Sequence, residues 1–262
     1  RKKNLVIRIN TFMQYCAKNE GSVYFCAVSY TIQYPAITFA RMQLHKLKDY
    51  LGQYAESLGS RAAEKRLHYW ESQAIWQKNW DSDATDFAQM YDQSLQNSTT
   101  RRLWKREAYD PKRMLLAFIA MDPYFVHSMF SDLFNEDKEA HARVDRFVFY
   151  CDQLLQQYRQ QYPAKTDNSH YHDDGYGMIS LYLSFRYPTL HAPYNADRQI
   201  RLLQKLGAAN IPLAGDFPRH IKLMRTLQNF INKEQTLLER HQARLRPEHY
   251  QEESLLLAFD FG

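Results

Sequence analysis

Two histidines and two aspartates stand close together at His170, His172, Asp173 and Asp174. Imidazole and carboxylate groups are ligands for divalent metal ions, so this cluster is a candidate metal site. A metal site needs a further ligand that the fold brings in, whereas a polar loop ahead of a helix would use an aspartate as a cap and expose the histidines. We favour the loop and predict that no metal is bound.

Motifs for covalent and nucleotide chemistry are absent from the sequence. No serine lies in a GxSxG turn, and Cys16, Cys26 and Cys151 form no CxxC pair and have no nucleophile signature. The odd number of cysteines argues against a disulfide framework and favours a reducing, cytoplasmic location. Neither a GxxxxGK[ST] phosphate loop nor a GxGxxG turn occurs. We therefore predict no catalytic residue, no cofactor and no NTP hydrolysis by these residues.

Two groups of basic residues are candidate phosphate contacts in a chain whose net charge is +5. The first group surrounds Trp104 and comprises Arg101, Arg102, Lys105, Arg106, Lys112 and Arg113. The second comprises Arg219, Lys222 and Arg225, whose spacing keeps them on roughly one side of a helix. Both groups suit DNA, with Trp104 available for stacking. The alternatives are a solvated helix face or a contact with an acidic neighbouring domain.

The composition predicts a mainly α, multi-helix globular region. The chain has 262 residues, 45% of them hydrophobic, with only eight glycines and nine prolines, and its apolar residues recur mostly at helical steps. No apolar run approaches the length needed to span a bilayer, so no membrane contact is expected. Residues 1–58 are ambiguous, and a small N-terminal α/β or hairpin element there stays open. We place a boundary near Gly59, between a segment 1–59 of unknown role and a helical region 60–262.

Capping residues and apolar stripes predict the helices of the second region. They are expected at Arg61–Trp80, after Asp83 and Asp86, after Asp122-Pro123, through Val144 to a stop at Tyr162-Pro163, at Met178–Phe185, at Asp197–Leu206 before a left-handed Gly207, and at Phe217–Leu245. The last of these should bury Ile221, Met224, Leu227, Ile231 and Leu238. The apolar tail Ser254–Phe261 is expected to enter a following domain.

Three stretches of the sequence resemble the N-terminal region of McrB-type AAA+ restriction proteins. They are YWESQAIWQKNWDSDATDFAQMYDQSL at Tyr69–Leu95, YDPKRMLLAFIAMDPYFVHSMFSDLFNE at Tyr109–Glu136, and YHDDGYGMISLYLSFRYPTLHAPYN at Tyr171–Asn195. The family has a W-x-x-N-W-D segment, a P-[KR]-x-M-[IL] step, an M-F-x-D-L-F-[ND]-E step and an I-S-x-Y-L-x-x-R-Y-P element in this order. The resemblance spans residues 69–262, and residues 1–58 match nothing recognisable.

The resemblance implies a role in defence against foreign DNA. The family couples a GTP- or ATP-driven AAA+ ring, which would act in cis, to a nuclease subunit in trans, and the N-terminal region chooses the target. This sequence has no counterpart of the motor or nuclease motifs, so no catalytic residue is carried over. Reading a modified cytosine by base flipping would need an aromatic-lined pocket. Trp70, Trp76, Trp80 and Trp104 are available for one, although each also suits a helical core.

The leading hypothesis is a non-catalytic target-recognition or regulatory region of an McrB-like restriction NTPase that contacts DNA. The rival is a protein-interaction or assembly module for the AAA+ ring or its nuclease partner. A third hypothesis is a metal-dependent enzyme that uses His170, His172 and Asp173.

Overall fold

The computed structural model describes residues 43–98, Leu103, 110–163 and 176–262. Within these ranges the backbone forms helices joined by short turns, and no strand occurs. The prediction of a mainly α fold is therefore confirmed. The N-terminal α/β or hairpin element that the sequence left open lies outside the described residues. Across the part that is described, none of the helices has the length and apolar character needed to cross a bilayer.

The helices are short, apart from one of 22 residues. They are α1 Leu44–Ser57, α2 Arg61–Glu64, α3 His68–Asn79, α4 Phe87–Ser94, α5 Pro111–Met121, α6 Pro123–Leu133, α7 Ala140–Gln161, α8 Gly177–Arg186, α9 Ala196–Lys205, α10 Phe217–Ile231, α11 Gln235–Arg244 and α12 Leu256–Phe261.

Aspartate caps start several of these helices, as the sequence predicts. The Asp122 carboxylate accepts from the Phe125 amide at 2.9 Å, and Pro123 takes the first position of α6, where no amide donor is needed. Asp86 caps α4 in the same way, accepting from the Gln89 amide. These local interactions fix where α4 and α6 begin. The predicted start of α6 is confirmed, whereas α4 starts after Asp86, the second of the two predicted aspartates, and not after Asp83.

One core packs α3, α4, α5, α6, α7 and α8 together. The predicted stripe of α6 is confirmed, since its four members are at most 2% exposed: Val126, Met129, Phe130 and Leu133. The predicted face of α7 is buried at Val144, Phe147, Cys151, Leu154, Leu155 and Tyr158. Val148, also expected on that face, is only half-buried. Aromatic rings from α3 and α8 complete this core.

A second core joins α1 to the C-terminal helices, which corrects the boundary predicted near Gly59. Leu47 and Leu51 of α1 lie in the same apolar cluster as Leu227 and Leu237. Arg240 Nη1 also donates to the Ala55 carbonyl at 3.0 Å. Because α1 covers its apolar face with helices from the far end of the chain, a division at Gly59 does not separate two cores. All described residues belong to one compact unit.

Two predicted helices are each interrupted by a turn. The segment expected to run to Trp80 breaks after α2, where Lys65, Arg66 and Leu67 form turn hydrogen bonds. The segment expected to reach Leu245 stops at Ile231, because the next amides, at Lys233 and Glu234, donate three residues back. The turn rotates the apolar face of α11. Leu237 is therefore buried at 1% exposure, and the predicted Leu238 is only half-buried.

The apolar tail folds back into the second core, so the prediction that it enters a following domain is wrong. Residues Leu255 to Phe259 are all at most 7% exposed. The amide of Leu255 donates to the carbonyl of Pro188 at 2.9 Å. The tail is apolar because it fills space between α1, α9 and α10 within this unit.

Candidate functional site

Most of the first predicted basic group lies outside the described residues, namely Arg101, Arg102, Lys105 and Arg106. The same holds for the cluster His170, His172, Asp173 and Asp174. Among the residues that are described, no three His, Cys, Asp or Glu side chains are grouped so that they could hold a metal ion.

The other two members of that group, Lys112 and Arg113, stand at the start of α5 beside carboxylates. Lys112 Nζ lies 2.7 Å from Asp92 Oδ1 of α4. Arg113 Nε lies 3.8 Å from Asp110 Oδ2, on the residue that caps α5. Each charge therefore faces an opposite charge within the fold. Lys112 connects α5 to α4 through this ion pair. The residue predicted as a phosphate contact therefore has a structural role.

The second basic group forms one side of α10, as its spacing predicts, and we call it the basic face. Lys222 and Arg225 are exposed, and Arg219 is half-buried with its Nη1 3.9 Å from Asp216 Oδ2. The Nε and Nη2 of Arg225 donate to the Leu190 carbonyl at 3.2 and 2.9 Å. These hydrogen bonds fix the direction in which the Arg225 guanidinium leaves the helix.

A concave site that the sequence did not single out lies between α3, α4, α6 and the end of α8. This aromatic cleft has a volume of about 240 Å³. Its lining residues are Trp80, Ser82, Phe87, His127, Phe130, Ser131, Phe134, Arg186 and Tyr187. No acidic side chain is among these described lining residues.

Ring contacts hold the cleft walls in place. One face of Trp80 stacks on Trp76, with ring centroids 4.3 Å apart. Phe87 and Phe134 meet Trp80 edge-on at centroid distances of 5.9 and 5.4 Å, and Phe130 packs at 5.2 Å. Such edge-to-face pairs are favourable beyond the area that they bury, so the walls are preorganised.

Arg186, the last residue of α8, brings a charge to this apolar site. Its Nε is covered and has no hydrogen-bond partner, and the indole Nε1 of Trp80 is in the same condition. The guanidinium lies over the Tyr187 ring at 5.5 Å. No ion pair joins Arg186 to a carboxylate in the described ranges. The carbonyls at the end of α8 accept instead from Gln77 Nε2.

The tryptophans offered for a base-reading pocket separate into two kinds. Trp70 and Trp76 are at most 2% exposed and belong to the two cores. Trp80 lines the cleft, and Trp104 is not among the described residues. The sequence signal for Arg186 is its position as the lone cation at the end of the otherwise uncharged α8, immediately before Tyr187-Pro188.

A short turn connects the cleft to the basic face. The amide of Leu190 donates to the carbonyl of Tyr187 at 3.0 Å, and the Leu190 carbonyl is the one that Arg225 holds. The ends of such a turn lie within about 7 Å of each other. The charge of Arg225 is therefore close to the rim of the cleft at Tyr187.

Comparison with known proteins adds no relative. No protein-family model matches this chain, and no curated protein or solved structure matches it either.

Proposed function

We propose that this chain is a non-catalytic target-recognition or regulatory region of an McrB-like restriction NTPase, and that it contacts DNA through the basic face of α10. The proposal is supported by the exposed pair Lys222 and Arg225 beside Arg219, together with the resemblance of the ordered motifs. The motor in cis and the nuclease in trans are the partners that this function implies.

The basic face suits phosphate because it combines an oriented guanidinium group with a lysine point charge. Both kinds of group contact the DNA backbone in known complexes. Arg225 is held by the Leu190 carbonyl, so its guanidinium is oriented before DNA arrives. Lys222 carries a point charge one turn earlier on the same side. Buried Ile221 and Met224 fix the opposite side of α10 in the cores. Contacts of this kind position a protein on DNA without reading bases.

Lys112 is a weaker candidate than the sequence suggests, because its charge is paired with Asp92 at 2.7 Å. Arg113 lies 3.8 Å from Asp110, much as Arg219 of the basic face lies 3.9 Å from Asp216. A phosphate would have to compete with these carboxylates. Arg101, Arg102, Lys105 and Arg106 remain predicted phosphate contacts, as the structure does not describe them.

The test is the salt dependence of DNA binding, followed by fluorescence anisotropy with labelled duplex and single-stranded DNA. Each phosphate contact adds about 0.9 to the slope of log affinity against log salt on duplex DNA. The pair Lys222→Ala with Arg225→Ala should flatten that slope by about 2. The matched control, Lys48→Ala with Lys78→Ala, removes the same charge from exposed positions on α1 and α3 and should leave the slope unchanged.

Two exposed rings favour the rival function, an assembly module for the AAA+ ring or its nuclease. Tyr124 is 87% exposed at the start of α6, and Phe149 is 55% exposed on α7. Tyr124 precedes Phe125 in the sequence, and Phe149 precedes Tyr150. The rings of Phe125 and Tyr150 are in contact, with centroids 5.3 Å apart. If the wild-type chain shows no salt-dependent binding to any DNA, modified or not, the assembly function replaces the DNA function.

A further inference from the structure

We infer that the aromatic cleft is a binding site for a carboxylate carried on an aromatic or aliphatic group, with Arg186 as the residue that recognises the charge. The inference rests neither on the basic face nor on DNA binding.

The first step is that Arg186 has no counter-ion among the described residues and that its Nε makes no hydrogen bond. A cation in the last turn of a helix is favourable by itself, because carbonyls accumulate there. At the end of α8, however, Gln77 already donates to the carbonyls of Phe185 and Arg186. The Arg186 side chain turns instead over Tyr187, and its Nε finds no partner. A partly buried guanidinium without a counter-ion is costly, and an anionic ligand would relieve that cost.

The second step concerns the kind of ligand. A nucleobase that carries an amino group needs an acceptor for it, and no carboxylate is found among the described residues that line the cleft. The carbonyl of Ser82 is already engaged by His127 Nε2 at 2.8 Å. A carboxylate only accepts, and guanidinium groups bind carboxylates through paired parallel hydrogen bonds. The donor set of the cleft therefore fits an acid better than a base.

The third step concerns the group that carries the carboxylate. The walls beside Arg186 are the rings of Trp80, Phe87, Phe130 and Phe134, which favour an apolar body. A volume of about 240 Å³ accommodates one ring and a short chain but not a large ligand. The acid is thus either a small free molecule or the C-terminal residue of a peptide, and both present the same chemistry.

Nearby acids set an upper limit on affinity. Asp81, Asp83 and Asp86 stand in the exposed loop that contains Ser82, and Asp132 follows Ser131. Asp132 is paired with Lys138 and Arg146. The three loop aspartates face water, which screens them. They weaken an anion's approach without occupying Arg186, so we expect modest affinity with clear preference for the charged ligand over its neutral analogue.

The experiment is isothermal titration calorimetry of the full chain with 3-phenylpropionate and with its neutral amide. Loss of a hydrogen-bonded charge should weaken binding about tenfold or more, so the acid should bind at least that much tighter than the amide. The tripeptide Gly-Gly-Phe, with a free or an amidated C-terminus, distinguishes the two sources. Binding of the tripeptide acid assigns the site to a partner's C-terminus, and exclusive binding of 3-phenylpropionate assigns it to a small molecule.

Three variants locate the binding. Arg186→Gln removes the charge at a side chain whose Nε has no hydrogen bond to lose, and should reduce acid binding to the level of the amide. Ser131→Trp fills the cleft from an exposed position and should abolish binding of both acid and amide. Lys78→Gln, a nearby exposed cation on α3, should bind as the wild type does. Thermal melting confirms that each variant is folded.

The inference is overturned if neither acid binds the wild type, if acid and amide bind equally, or if folded Arg186→Gln retains the preference for the acid.

Discussion

The hydroxyl of Tyr54 on α1 donates to Asp260 on α12 at 2.6 Å, and this buried hydrogen bond joins the two ends of the described chain. Arg66 Nε and Arg244 Nη2 reach the same carboxylate at 2.5 and 3.0 Å. Arg198 Nη2 donates to the Asp260 carbonyl at 2.9 Å. The Asp260 carboxylate therefore joins α12 to α1, to the turn after α2 and to the end of α11.

Replacing Asp260 should destabilise the fold strongly. Asp260→Asn would leave buried Arg244 without its counter-ion, and loss of one partner of a buried ion pair costs about 3–5 kcal/mol. Urea unfolding followed by circular dichroism measures the change. Asp197→Asn, at an exposed position in the first turn of α9, is the matched control and should change stability by less than about 0.5 kcal/mol. Equal unfolding midpoints for the two variants would contradict the proposed role of Asp260.

The Glu136 carboxylate predicts an acid-sensitive contribution to stability. Burial alone would raise its pKa, but hydrogen bonds from His191 and Arg143 lower the pKa to about 2. A carboxyl with a depressed folded pKa stabilises above its unfolded pKa of about 4.3, and this contribution is lost as the pH falls towards 2. Glu136→Gln should lower the free energy of unfolding by about 2 kcal/mol at neutral pH. It should also reduce the loss of stability that the wild type shows as the pH falls below about 4.5. Unfolding at a series of acidic pH values tests both effects.

His241 acts in a higher pH window. Burial, and then the charge of Arg244, lower its pKa to about 3, and Arg244 Nε lies 3.1 Å from His241 Nδ1, which can accept from it in the neutral ring. In the unfolded chain the histidine has a pKa of about 6.5, so between pH 3 and pH 6.5, roughly, it is protonated more often in the unfolded than in the folded state. The free energy of unfolding should therefore rise with pH across this range. His241→Gln should reduce that slope. A slope equal to that of the wild type would show that His241 does not control it.

Local signals in the sequence account for the parts of the fold that were predicted correctly. The start of α6 depends on Asp122 and Pro123 alone, and the end of α9 depends on Gly207, which adopts a φ of 63°. The break after Ile231 carries no glycine or proline. It arises because α11 must turn to bury Leu237, which is decided by distant packing and not by neighbouring residues.

The aromatic cleft was missed for the same reason. Trp80, Phe130 and Arg186 belong to three different helices or their ends, and each fits a helical core pattern when taken alone. Only the packing shows that Trp80 lines an open site while Trp76 is wholly covered. The charges of the basic face were found because their spacing on one helix is a local property. Their partners, such as the Leu190 carbonyl, are not local.

Gly207 supplies a direct test of the left-handed cap. A Cβ at this position would lie 2.8 Å from Gln43 Cδ, on a backbone that L residues rarely adopt. Gly207→Ala should therefore destabilise the fold by about 1 kcal/mol, with the strained backbone as the main cause. Gly52→Ala in α1 meets no atom within 4 Å and should instead stabilise slightly, since alanine favours helix. Thermal unfolding of the two variants gives opposite shifts if the conformation of Gly207 is correct.

Removal of charge at Lys112 and at the α10 residues Arg219 and Lys222 should have different effects on DNA affinity. Lys112→Ala breaks the 2.7 Å pair with Asp92, so it should lower stability by up to about 1 kcal/mol and leave DNA affinity nearly unchanged. Arg219→Ala with Lys222→Ala should weaken binding by a similar factor for every DNA sequence and modification, because phosphate carries no sequence information. Anisotropy titrations with several duplexes of equal length, some of them methylated, measure these factors. A loss of affinity confined to one sequence or to modified DNA would mean that the basic face reads bases. If Lys112→Ala lowers DNA affinity as much as the α10 pair does, the DNA surface lies at the start of α5.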